Sequence, residues 1–65
     1  MEKLQISIKI EKGNLSIQIE CAEGSLYTSN LMKCDDVVAT RYMVAELRND
    51  KNTSRAFDVN YEEVQ

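Results

Sequence analysis

Apolar and polar residues alternate over the first third of the chain. Leu4, Ile6, Ile8 and Ile10 interleave with Lys3, Gln5, Ser7, Lys9 and Glu11. Leu15, Ile17, Ile19 and Cys21 interleave with Ser16, Gln18 and Glu20. A period of two, carried largely by β-branched isoleucine, is the pattern of a strand with one buried face. The Lys12-Gly13-Asn14 break between the two runs predicts a β-hairpin. Two registers fit. Lys12-Gly13 as the turn sets Ile10 opposite Leu15. Gly13-Asn14 as a turn of the type that starts with glycine moves the pairing by two. Either register keeps all eight apolar residues on one face. An isolated hairpin is marginal in water, so that face needs a cover.

Ala22-Glu23-Gly24-Ser25 ends the hairpin. Leu26 to Lys33 has no clear period and holds Tyr27, Leu31 and Met32. Asp35 to Arg48 reads as a helix. Asp35 is placed as the N-cap and Asp36 in the first turn, where the positive end of the helix favours an acid. Arg48 and Lys51 lie near the other end. Ala39, Met43, Ala45, Glu46 and Leu47 are good helix formers, whereas Val37, Val38, Thr40 and Val44 are poor ones. A strand over Arg41 to Leu47 is the alternative. Asn49 to Ser54 reads as a polar loop. Phe57, Val59 and Tyr61 then alternate with Asp58, Asn60 and Glu62, which predicts a third strand. A helical stripe of Phe57, Tyr61 and Val64 competes with it. These elements make one small α+β domain over residues 1–65: an N-terminal hairpin covered by one helix, with a C-terminal strand, in the order ββαβ.

The middle segment has an excess of apolar residues. Wound as a helix, Leu31, Cys34, Val38, Tyr42 and Ala45 form one stripe, with Val37, Val44 and Leu47 a second. Met32, Ala39 and Met43 fall on a third side. Between Val37 and Leu47 only Thr40, Arg41 and Glu46 are polar. A surface helix normally leaves a broad polar face. Tyr42 reads as core. Part of the set Val37, Ala39, Met43, Val44 and Leu47 is left to face outward, and contiguous exposed apolar surface marks an interaction site. Tyr27 joins that set, because tyrosine buries area while keeping a polar tip.

Size sharpens the expectation. A chain this short buries only about 60% of the surface its unfolded form exposes. Its core supplies no more than about 3–5 kcal/mol. Disulfides, a metal or a partner commonly make up the difference. Cys21 and Cys34 are the two cysteines. No leader pattern precedes them, so free thiols in a reducing, cytoplasmic compartment are expected. The chain has no histidine. Two cysteines fall short of the set of four Cys or His ligands that structural zinc prefers. No metal and no cofactor is expected. Association with another chain remains.

Charge and missing residue types exclude several chemistries. Eleven acidic and eight basic residues give a net charge of −3. Nucleic-acid binding needs a dense basic surface, and Glu2, Glu11 and Glu20 offset Lys3, Lys9 and Lys12. No segment approaches the roughly 18–20 apolar residues of a membrane span. Without histidine, the Ser-His-Asp and Cys-His nucleophile systems cannot be built within the chain. Gly13 and Gly24 are the only glycines, too few for a phosphate loop. The chain therefore reads as a non-enzymatic protein-interaction module. The expected role is a small acidic inhibitor or regulator that binds another protein, a second copy of itself, or both. One alternative is a ligand-sequestering oligomer with boundary pockets built from Tyr27, Arg41 and Arg55. Another is an acidic mimic of nucleic acid centred on Asp35 and Asp36.

Overall fold

A computed structural model describes residues 3–65 of the chain. Glu2, named above as offsetting nearby lysines, lies outside the described residues. Among those residues the fold holds five strands and two helices: β1 Leu4–Glu11, β2 Asn14–Cys21, β3 Gly24–Thr28, β4 Met32–Lys33, α1 Val37–Asn49, α2 Lys51–Ala56 and β5 Phe57–Val64. The class is α+β. The expected ββαβ order is corrected, because two further strands and a second helix are present.

β1 and β2 pair antiparallel with Ile10 opposite Leu15 and Ile8 opposite Ile17. The turn is therefore Lys12-Gly13. Both residues have positive φ, 51° and 78°, as a two-residue turn matched to strand twist requires. Glycine adopts that backbone freely, whereas lysine does so at a steric cost.

The segment from Gly24 to Lys33 runs back along the outer edge of β2. β3 pairs with one end of β2 and β4 with the other. Between them, the Ser29 N–H donates to the Ile17 carbonyl at 2.9 Å. The Ile17 N–H donates to Ser29 Oγ at 2.8 Å. The Cys34 N–H then donates to the Gly13 carbonyl at 2.8 Å. That outer edge lacks a regular period because it is filled by two short strands and a serine bridge.

α1 starts one residue later than the sequence pattern suggests. Asp36, not Asp35, is the N-cap, and its carboxylate accepts the Ala39 N–H at 2.9 Å. Asp35 instead faces Lys33 at 3.6 Å. The segment Asn49 to Ser54, expected as a loop, contains most of α2. Asp50 caps that helix by accepting the Thr53 N–H at 2.9 Å. This backbone hydrogen bond holds the Asp50 carboxyl below its usual range.

β5 lies beside β1 and parallel to it, so the sheet order is β3-β2-β1-β5, with β4 also on β2. Leu4, Ile6 and Ile8 face Phe57, Val59 and Tyr61 across this pair. Cross-strand partners share a face, so the apolar residues of β1 and β2, with Phe57, Val59 and Tyr61 of β5, form one inner face. The opposite face is polar. There, Gln5 donates to Asp58 at 2.9 Å, Asn60 donates to Gln5 at 3.1 Å, and Lys3 lies 3.8 Å from Asp58.

Candidate interaction surface

The position and rotation of α1 decide what the inner face leaves open. Arg41 donates from Nε and Nη2 to the two carboxylate oxygens of Glu63, at 2.7 and 2.8 Å. Two turns further on, Arg48 Nε donates to the Val59 carbonyl at 3.3 Å. Both partners are on β5, so this flank of the helix is tied to β5. At 100° per residue, Thr40, Met43 and Leu47 lie about 130° away on the other flank. Thr40 Oγ1 meets Cys34 Sγ at 3.6 Å, just past β4, which sets that flank toward the β2 side. Val44 points between them into the sheet and is 2% exposed.

A single helix is about 10 Å wide, and strands repeat every 4.8 Å. One helix therefore covers about two strands. Burial falls off from the central strand β1 outward. Among the described residues, only Ile8 and Ile10 of β1 and Val44 of α1 are buried apolar residues. Leu15, Ile17, Ile19 and Cys21 of β2 are half-buried, as are Phe57, Val59 and Tyr61 of β5. Tyr27 lies across from Ile19, and Met32 across from Leu15, on the same inner face. They expose 52% and 43% of themselves. Leu26, Leu31, Val38, Tyr42 and Met43 are also exposed.

The residues singled out from the sequence separate. Ala39 and Met43 are exposed, as a contact surface needs, and so is Tyr27. Val37 and Leu47 are half-buried against the sheet. Val44 is the member of the set that turns into the core. Tyr42, expected in the core, is 70% exposed. The helix is rotated away from that expectation because the two arginine bonds to β5 select which stripe points inward. Val37, Val44 and Leu47 are the inward stripe, leaving Val38 and Tyr42 outside.

Arg41, expected as a ligand-binding residue, is engaged by Glu63. Arg55 is exposed on α2, next to β5, while Tyr27 is on β3 at the opposite edge. One chain does not bring the three together. Tyr61 and Glu63 are polar partners that sequence reasoning missed. The Tyr61 hydroxyl donates to Glu63 Oε2 at 2.7 Å. The hydrogen bonds from Arg41 and then Tyr61 hold the Glu63 carboxyl at about 2. Partial burial, then the bond to Glu63, push the Tyr61 phenol up to about 12. The Arg41 guanidinium is raised by the same carboxylate. Displaced pKa values sometimes mark chemistry. Here the three groups satisfy one another and fasten α1 to β5.

Cys21 and Cys34 are free thiols, both half-buried. No group of three or more metal-ligating side chains occurs among the described residues. No helix among them is long and apolar enough to cross a membrane. No family model matches the chain, and neither a curated protein nor a solved structure matches it.

Proposed function

We propose that the chain is a non-catalytic protein-interaction module, a small inhibitor or regulator that acts by binding another protein, a second copy of itself, or both. The observation that carries this reading is the uncovered half of the inner sheet face. Tyr27 and Met32 at its outer edge and Met43 on the helix are exposed, next to the half-buried apolar residues of β2. Contiguous apolar surface of this kind is uncommon on a monomer unless it is used. Tyrosine and methionine are also enriched at interfaces.

The polar groups support the same reading. Asp36 and Asp50 are occupied as helix caps. Arg41, Tyr61 and Glu63 form an internal clamp. Lys3, Lys9 and Lys33 each lie beside an acid. The charges therefore interleave instead of forming a single-sign field, which favours the protein-binding reading over an acidic mimic.

The test is a photo-reactive phenylalanine placed at Tyr27, and separately at Glu62 on the polar face, in cells that make the protein. Discrete cross-linked proteins from position 27, and none from position 62, are expected. Equal labelling from both positions contradicts the reading.

A further inference from the structure

We propose that the uncovered half of the inner face closes on a second copy of this chain, giving a twofold-symmetric dimer. The proposal rests on the protein-binding reading above and names the partner.

Area is the first argument. The chain exposes 5084 Å². A compact monomer of 7.4 kDa is expected to expose about 4,200 Å². The excess is about 900 Å², close to the roughly 800 Å² that each partner contributes to a standard interface. The surplus, summed over the whole flat molecule, is of the size that one side of a stable dimer requires.

Charge is the second argument. The sheet part of the patch, Leu15, Ile17, Ile19, Tyr27 and Met32, contains no charged side chain, and Glu46 and Asp50 lie beside Met43 at its helix rim. A chain of net charge −3 normally repels its own copies. Here the acids of β1, β2 and β5 are concentrated on the opposite sheet face and at Glu63, away from the patch. The sheet parts of two patches can meet without burying like charge, with Glu46 and Asp50 left at the rim. No charge on the patch selects a partner of opposite sign. A closed twofold contact uses the same surface on both copies, so one self-complementary apolar patch is sufficient. Stacked on each other, two such half-faces form a second layer that the single helix does not provide.

The test uses the purified full chain at tens of micromolar, above the micromolar limit typical of interfaces this size. Light scattering is expected to report twice the mass of one chain. Tyr27→Asp and Met43→Asp are each expected to halve that mass with far-UV circular dichroism unchanged. Both residues are exposed in the protomer, so folding is retained. A photo-reactive phenylalanine at position 27 supplies a readout independent of those variants and is expected to give a covalent homodimer.

A wild-type species with the mass of one chain overturns the second-copy proposal. So does a dimer that both variants leave intact. A wild-type monomer, together with capture of a different protein by position 27 in cells, overturns only the choice of partner. Silence in both settings overturns the protein-binding reading as well.

Discussion

Tyr27 lies directly across the strand pair from Ile19, on the sheet face that α1 covers, yet about half of its surface remains open to solvent. Ile8 is on the same face two strands away and is buried. The two differ because one helix has the width of about two strands. The sheet is wider than its cover.

That difference predicts how stability is distributed. Val44→Ala removes two buried methyl groups from a core of few members. It is expected to cost about 2 kcal/mol. Met43→Ala and Tyr27→Ala, measured in dilute protein, are each expected to stay within about 0.5 kcal/mol of wild type. Urea unfolding followed by circular dichroism gives all three values. Equal losses at Val44 and Met43 contradict this placement of the helix.

The clamp predicts an acid dependence. Glu63 is held at about 2 in the folded chain, against 4.5 without its partners. Between these values the unfolded chain takes up a proton that the folded chain refuses. The stability contributed by the clamp is whole above pH 4.5 and is lost as pH falls toward 2. Glu63→Gln lacks that charge. Its deficit in urea midpoint relative to wild type is expected to narrow between neutral pH and the acid end of this window. A deficit independent of pH contradicts the assignment.

Tyr61 gives the alkaline counterpart. Its phenol is raised from 10.0 to about 12, so the unfolded chain releases that proton first. The associated stability is whole below pH 10 and is lost as pH rises toward 12. Tyr61→Phe is expected to remove the phenolate absorbance step near pH 12. A wild-type titration with no step there contradicts the burial of this ring.

The hairpin turn predicts two changes of opposite sign. Lys12 has a φ of 51°, which asparagine tolerates better than lysine. Lys12→Asn is expected to stabilise the chain by about 0.5–1 kcal/mol. Gly13 has a φ of +78° with open space around it. Gly13→Ala is expected to cost about 1 kcal/mol through backbone strain alone. Thermal unfolding of the two variants reads both signs, and a stabilising Gly13→Ala contradicts the turn type.

The parts of the fold legible in the sequence are those governed by local period and local capping. The β1–β2 hairpin, with one of its two expected registers, follows from alternation and the Lys12-Gly13 break. The strand at Phe57 follows from alternation as well, although its parallel pairing with β1 is a tertiary choice. Asp36 caps α1 in place of Asp35 because the two differ only in which carboxylate reaches Ala39. α2 carried a signal of its own, an Asp50 cap three residues before Thr53, inside a stretch whose polarity suggested a loop. β3 and β4 were not legible, since each is short and held by β2. The apolar surplus on the middle segment was visible, but not its direction. The rotation of α1 comes from Arg41 and Arg48 meeting Glu63 and Val59, which are distant in sequence. Those contacts turn Val44 inward and Tyr42 outward.

The central claim is that a second chain completes the layer over β2 and β3. Its most direct test is the thermal midpoint of the wild-type protein measured across a hundredfold range of concentration. For a folded dimer that dissociates as it unfolds, each tenfold rise in concentration adds about 1.4 kcal/mol of stability. A midpoint that climbs with concentration for wild type and stays level for Met43→Asp is the predicted result. A wild-type midpoint that does not change with concentration contradicts it.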